Sequence, residues 1–449
     1  MNSQIPEKTG HWLFGSARQM QAAPHLFPMQ IAREIGQSSA KMARFRILRR
    51  PYVACASVEA VRHVLVTRHE NYPRSYHHRN GALVIGDGLL ANEGDPWLKR
   101  RRLVLPAFKH ENLDELTALT AKVVDDVLGD WNEKTEVDAL KQGQRITIGT
   151  IHRALFSCDI EADQIEVFAR ATRDSLRLVR SRNLSPFPIP TWIPTPANRA
   201  IIANRELLDN FVGRHIEARL QLPEDEWPTD ILTLLLRAKD PESGASLDRD
   251  AVQNELKTLF VAGFETTAST LAWALYCLAK SPEIAAQWHR EADEILGDAI
   301  PNVEALQKLE WTAAIVHETL RLYPTVYNLG RLALQDDTIC GQQVRRGDIL
   351  LLSIYGVHHD PDEWEKPMEF HPQRFLPGQP WNRLAFMPFA AGKHQCIGNS
   401  FAFTELMVSL VAIARRFEIS LPEGFEARES AFITLTPDRD IPLQIKSRY

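Results

Sequence analysis

Phe389-Ala-Ala-Gly392-Lys-His394-Gln-Cys396-Ile-Gly398 is the stretch that decides the fold. It sets one cysteine in a glycine-flanked turn, with an aromatic residue seven positions before it. The amphipathic run from Phe401 to Phe417 that follows predicts a helix. Glycines at 392 and 398 let the backbone turn tightly and approach a flat partner without Cβ interference. A thiolate at a helix N-terminus is stabilised by the unpaired amides and the dipole there. Phe389 is placed to cover the sulfur, and His394 to hydrogen-bond a carboxylate at the edge of a bound ring. A cysteine presented this way suits an axial iron ligand, whose thiolate pushes electron density toward bound oxygen. For Cys396 alone, a buried free cysteine in a turn is a serious competing reading.

Other stretches reduce that competition. The loop resembles the haem-binding loop of the cytochrome P450 family, whose pattern is Phe-x-x-Gly-x-(Arg or His)-x-Cys-x-Gly. Every fixed position is filled, with the histidine option at 394. Further stretches similar to family motifs occur in the expected order from about Trp97 to the C-terminus. The resemblance implies a mainly α fold with a small β-rich region, one triangular haem-binding unit spanning residues 1–449, and haem b (iron protoporphyrin IX) on a thiolate. It further implies a monooxygenase.

Ala262-Gly-Phe-Glu265-Thr266-Thr267 lies inside a long helical pattern from Leu247 to Lys280. Glycine in mid-helix costs about 1 kcal/mol against alanine; a flat cofactor or dioxygen pressing on the helix is one reason to keep it. Thr266 can bond back to a carbonyl one turn earlier and open the helix locally. The resemblance assigns Thr266 to proton delivery for O–O cleavage and Glu265 to the acidic relay beside it; ordinary helix packing is the competing reading. Glu318-Thr-Leu-Arg321 puts two opposite charges on one helix face. In the family such a pair is buried and joined by an arginine, here Arg374 in Phe370-His-Pro-Gln-Arg374-Phe375, and these three residues are read as structural. Trp97 and Arg101 share a helix face four residues apart. Both resemble the family's donors to the haem carboxylates, as does Arg331, with His394 a further contact. Arg100 and Arg102 are assigned to a solvated face. His77-His78 and His358-His359 are read as solvated loop histidines, because neighbours on an extended chain point apart.

The 449 residues are 44% hydrophobic, enough for a large core. The formal charge of −5 gives no support for nucleic-acid binding. Five scattered cysteines without a Cys-x-x-Cys fit a reducing compartment and one specialised thiolate. Residues 1–30 are read as an irregular lead-in without a transmembrane segment, so stable membrane insertion is not expected and a cytoplasmic location is. Neither a fused reductase nor a dinucleotide fingerprint is found, so electrons are expected from a ferredoxin or flavodoxin with its reductase. Lys393, Arg100 and Arg102 form a candidate docking patch.

The expected pocket is lined by Val84, Ile85 and Leu89 from a glycine-rich loop, by Phe260, Ala262 and Phe264, and by Val326 and Phe432. These surfaces predict a hydrophobic substrate. Arg173, Arg177 and Arg180 are candidate carboxylate anchors. Pro190 to Arg199 resembles a segment of bacterial members that act on terpenes and fatty acids. The reading is terpenoid hydroxylation, with fatty-acid hydroxylation as the alternative. A haem-thiolate ligand sensor is the alternative from another class, and Glu265-Thr266 argues against it because a sensor needs no proton relay.

Overall fold

In the computed structural model, all residues are described except 1–2, 13, 37, 49, 109–112, 186–188, 298–300 and 449. The architecture is organised around the helix Arg249–Lys280, hereafter the central helix. Its start is set by Asp248, whose side chain accepts a hydrogen bond from the Ala251 amide. From Ala268 to Leu278 every side chain is buried, because neighbours cover the helix all round. Helix Ala139–Phe156 packs along one side and helix Asn399–Arg416, which follows the cysteine loop, along another.

The approach of Ala139–Phe156 explains two glycines. A Cβ on Gly263 would lie 3.1 Å from Ile151, and one on Gly143 would lie 2.9 Å from the Ala268 carbonyl. Mid-helix Gly263 thus lies under a crossing helix, a packing reason that stands beside the expected flat ligand. Around this axis Trp131, Trp273, Trp288, Leu275, Met407 and Phe417 fill the largest core.

The β-rich region is a four-stranded sheet in the order Met42–Ile47, Arg50–Cys55, Ile349–Ser353, Asn328–Leu332. The inner pair is parallel, with Tyr52 opposite Ile349, and the outer pairs are antiparallel. The lead-in is more regular than expected. It forms helices Ala17–Ala22 and Leu26–Glu34, because Phe27, Ile31 and Ala32 bury against Phe45 and the sheet.

Helix Gly94–Val104 passes into a 3₁₀ turn, Leu105–Phe108, ahead of helix Leu113–Gly129. The expected glycine-rich loop contains two short helices, Tyr76–Asn80 and Ala82–Ile85. The histidine pairs are not solvated. His358 and His359 are buried at the end of helix Ile354–His358. His358 Nε2 accepts the Met387 amide at 2.9 Å, and His359 Nδ1 lies 2.8 Å from the Tyr355 carbonyl. His77 Nε2 is 2.7 Å from the Tyr52 hydroxyl.

Candidate haem site

The cysteine loop is held by the protein itself. Cys396 donates its amide to the Phe389 carbonyl at 3.0 Å. Gly392 has φ +71°, and a Cβ there would stand 2.1 Å from the Leu65 carbonyl, so glycine is demanded twice. Gly398 precedes helix Asn399–Arg416, and its amide bonds to the Cys396 sulfur. Cys396 has accessible surface, yet burial among protein atoms pushes its thiol up. Together these place the sulfur in a recess and not on the convex exterior. The Gly398 amide and the Arg101 charge oppose the burial without overcoming it. The expected helix-terminal stabilisation of the thiolate is thus present but too small, and a bound cation is what would hold this sulfur ionised.

Next to the loop lies a cluster of cations around Trp97, which is buried in helix Gly94–Val104. The His394 ring is 4.3 Å from Trp97, the Arg101 guanidinium is 5.5 Å above the indole and the Arg74 guanidinium 5.9 Å. Arg331 pairs across an isolated bridge with Arg74. Burial, with Arg74 beside it, pushes the Arg331 guanidinium down to about 10. Among the described residues, the one hydrogen bond its side chain makes is to the carbonyl of Gly330, at 3.0 Å. Trp97 Nε1 is buried without an acceptor.

The one acid in the cluster is Glu93. It lies 3.1 Å from His394 Nε2, though not aligned as a hydrogen bond, and accepts the Arg74 amide at 3.2 Å. Burial alone would raise its carboxyl, but His394 and Arg74 outweigh that and hold it at about 2. A buried arginine without an anion and an orphaned indole N–H are costly unless an anionic ligand meets them. The residues fit a group that carries carboxylates. Arg74 and Glu93 were missed by sequence reasoning, since neither sits in a recognisable motif.

The oxygen-side residues come from one stretch of the central helix, Glu265 to Thr270. Thr266 donates its hydroxyl back to the Ala262 carbonyl at 3.1 Å, and Thr267 to Gly263 at 3.1 Å. Thr270 donates to the Thr266 carbonyl at 3.0 Å and meets the Thr325 hydroxyl at 3.1 Å. Glu265 keeps some accessible surface yet is enclosed by protein, and burial pushes its carboxyl up to about 7. Two neighbours pull the other way: Thr434, which donates to Oε1 at 2.8 Å, and the more distant Arg173. Thr434 lies beyond strand Glu429–Ala431, and nothing in its sequence signalled this contact.

The pocket expectations divide. Ala262, Val326 and Phe432 keep accessible surface. Phe260 and Phe264 have none and pack with Phe168 and Phe211, so they belong to the core. They occupy the helix face opposed to Ala262, Glu265 and Thr266. Val84, Ile85 and Leu89 are also buried, the first two in the same core. Of the arginines, Arg180 is committed to the carbonyls of Ala431 and Gln21. Arg177 lies 5.2 Å over the Phe432 ring.

Glu318, Arg321 and Arg374 form one buried ion cluster. Arg321 meets both Glu318 oxygens at 2.7 and 2.9 Å, and Arg374 reaches Oε1 at 3.2 Å. Arg100 and Arg102 are not solvated: Arg100 pairs with buried Glu255 at 2.9 Å, and Arg102 with Asp240 at 3.0 Å and with Glu242. The docking patch expected from them is spent on internal pairing.

A recessed cysteine next to an unsatisfied, carboxylate-seeking cluster, with threonines bonded back to the carbonyls of a long helix, defines a haem-thiolate type of site. Comparison agrees. The cytochrome P450 family model matches residues 5–441. The chain is 33% identical over 380 residues to cyclooctat-9-en-7-ol 5-monooxygenase of Streptomyces melanosporofaciens, covering 82% of this chain and 80% of that protein. It is 31% identical over 437 residues to taurochenodeoxycholic 6 alpha-hydroxylase of Sus scrofa, covering 93% and 86%. The cytochrome P450DA heme domain superposes with a TM-score of 0.89 at 28% identity, covering 100% of this chain and 98% of that one.

The chain belongs to the cytochrome P450 family. It is accordingly a monooxygenase with a haem-thiolate cofactor, using O2, a hydrophobic substrate and a redox partner. Among the described residues, no helix is long and apolar enough to cross a membrane.

Proposed function

We propose that this enzyme inserts one oxygen atom from O2 into a C–H bond of a sesqui- or diterpenoid. The observation that carries the substrate class is the kinship with the Streptomyces monooxygenase named for cyclooctat-9-en-7-ol, a diterpenoid alcohol. The open apolar surface of Ala262, Val326 and Ile433 supports it.

In this reading Cys396, in a loop shaped by Phe389, Gly392 and Gly398, would supply the thiolate that holds haem b. Trp97, Arg101, Arg331 and His394, with Arg74, receive its carboxylates. The haem supplies dioxygen binding and reductive O–O cleavage. The chain's own residues position the substrate, exclude water and hold protons. Glu265, poised near 7, stores a proton at a carboxyl that Thr434 orients. Thr266 follows one residue further on, about 100° round the helix, with its hydroxyl on the Ala262 carbonyl. Glu318, Arg321 and Arg374 are structural. Electrons come from a ferredoxin or flavodoxin with its reductase, with exposed Lys393 as the remaining basic contact.

Fatty-acid hydroxylation is the second reading. It is favoured by Arg177 over Phe432, which would suit a carboxylate substrate. The test is an optical titration of the ferric enzyme with a sesquiterpene, a diterpenoid alcohol and a long-chain fatty acid. A Soret shift with a terpenoid alone supports the proposal. A shift with the fatty acid alone, lost in Arg177→Gln, replaces it by the second reading.

A further inference from the structure

Away from the haem site, His152, Cys158 and His215 bring one imidazole nitrogen each and a thiolate-forming sulfur within 4.8 Å of one another. We propose that this trio is a binding site for a thiophilic divalent cation, zinc in the first instance. Three separate segments supply it: helix Ala139–Phe156, the turn that follows, and helix Pro196–Leu220. No other group of three or more such side chains with this spacing is found among the described residues.

The geometry is prepared for a metal. His152 Nε2 and His215 Nε2 face each other at 3.3 Å. Tetrahedral zinc with Zn–N bonds of about 2.0–2.1 Å separates two nitrogen ligands by about 3.4 Å. The Cys158 sulfur is 3.9 Å from His215 Nδ1. That contact is to the other nitrogen of the ring, and zinc takes only one. The sulfur lies within 4.8 Å of one nitrogen on each ring, against a sulfur–nitrogen edge of about 3.5 Å around zinc, so the thiol has roughly an ångström to close.

Second contacts fix the rings. His152 Nδ1 lies 2.9 Å from the Cys158 carbonyl. A carbonyl can only accept, so that nitrogen carries the proton and Nε2 presents its lone pair. This is the tautomer that a metal-bound histidine needs, with its outer N–H already engaged. Ser157, in the left-handed conformation at φ +56°, folds the chain back so that the Cys158 carbonyl reaches that ring. His215 is stacked 4.2 Å from Phe156 at an interplanar angle of 12°, with Phe211 at its edge. His152 is buried whereas Cys158 is exposed, which leaves an entry path and room for water as a fourth ligand.

Without metal the trio satisfies itself. The thiol faces His215 Nδ1, His215 Nε2–H points at His152 Nε2, and His152 Nδ1–H bonds the Cys158 carbonyl. Zinc uptake replaces the first two contacts. The His215 proton moves from Nε2 to Nδ1, freeing the Nε2 lone pair for zinc, the Cys158 thiol proton leaves to solvent as the Zn–S bond forms, and no electron changes hands. The bound ion would tie helix Pro196–Leu220 to the end of helix Ala139–Phe156.

The test uses tag-free holoenzyme loaded with zinc sulfate and dialysed against metal-free buffer. Metal content is measured on wild type, Cys158→Ser and His215→Gln, with the haem absorbance spectrum as the check on folding. Wild type is expected to retain about one zinc per chain, and each variant to bind about tenfold or more weakly. Zinc should also slow alkylation of Cys158 by iodoacetamide in wild type while leaving half-buried Cys340 unaffected. Wild type without retained zinc, variants that retain as much, or unchanged Cys158 alkylation would each overturn the proposal. Should His215→Gln not fold, the exposed Cys158→Ser variant and the alkylation result decide it.

Discussion

Two buried clusters of charge sit in this molecule, and they are built on opposite plans. Around Glu318 the accounting nearly closes, with Arg374 Nη2 the one buried nitrogen of the three side chains left without a partner. Its carboxylate meets Arg321, Arg374 and the His371 amide, and the remaining Arg321 protons go to the carbonyls of His358, Pro367 and Glu369. Around Trp97 it does not close. Arg331 has only its neighbour's carbonyl, the indole N–H has nothing, and Glu93 is the lone acid among several cations. A closed ion cluster fixes the backbone segments it joins, whereas an open one is a binding site waiting for opposite charge. The same buried arginine chemistry thus serves structure in one place and ligand capture in the other.

The contrast is broken most forcefully at Glu318. Glu318→Gln leaves Arg321 and Arg374 buried together without a counter-charge, which should cost about 3–5 kcal/mol. The expected outcome is little soluble holoenzyme and a much lower denaturation midpoint; a midpoint near that of wild type would mean the cluster is not closed as described. Arg331→Leu should behave oppositely. Removing an unpartnered buried cation should leave the haem-free protein as stable or more so, while haem retention falls by about tenfold or more. Thermal melts of the apoprotein and haem transfer to apomyoglobin separate the two effects. Loss of apoprotein stability with unchanged haem retention would put Arg331 on the structural side.

How much of this was legible in the sequence depends on how local the signal is. The Cys396 loop could be read because its glycines, aromatic residue and cysteine lie within ten positions. Glu318 and Arg321 could be read because a spacing of three on a helix fixes their proximity. Gly263 was read only in part, since a crossing helix and a flat ligand make the same demand on a backbone, and only coordinates show Ile151 beside it. Phe260 and Phe264 were put in the pocket because they neighbour Ala262 in sequence, whereas helix spacing turns them to the face opposed to Ala262, Glu265 and Thr266. Arg100 and Arg102 looked solvated in a basic run, and their partners Glu255 and Asp240 are more than a hundred residues away. Arg74 and Thr434 gave no signal because each acts through a long-range contact from an irregular segment.

Glu265 sharpens the comparison from a third side, as a carboxyl enclosed without a cation in contact. With its carboxyl at about 7, it is protonated below that pH and ionised above it. As a proton store it should make the coupled rate of product formation fall as pH rises through about 7. Glu265→Gln should lower that rate by on the order of a hundredfold and flatten this limb. The Thr434 hydroxyl holds the carboxyl down, so Thr434→Val should move the inflection to higher pH with a smaller loss of rate. A profile unchanged in both variants would remove Glu265 from the relay.

The smallest effect is expected at Glu405, in helix Asn399–Arg416, where burial is carried to its limit. Neither oxygen has a hydrogen-bond partner, and burial pushes the carboxyl well above its usual 4.5, with the Thr150 hydroxyl only weakly opposing it. The folded protein therefore keeps this group protonated, whereas the unfolded chain ionises it above about 4.5. The folded state binds the extra proton, so this group's contribution to stability is full below the unfolded value and is lost as pH rises above it. Glu405→Gln keeps a neutral side chain of similar shape and has no such penalty. Its apparent melting temperature should match wild type at acidic pH and exceed it at pH 7–8, by roughly 1–3 °C. A variant less stable than wild type at pH 8 would mean that the charged form has a partner, and that Glu405 belongs with the closed cluster around Glu318.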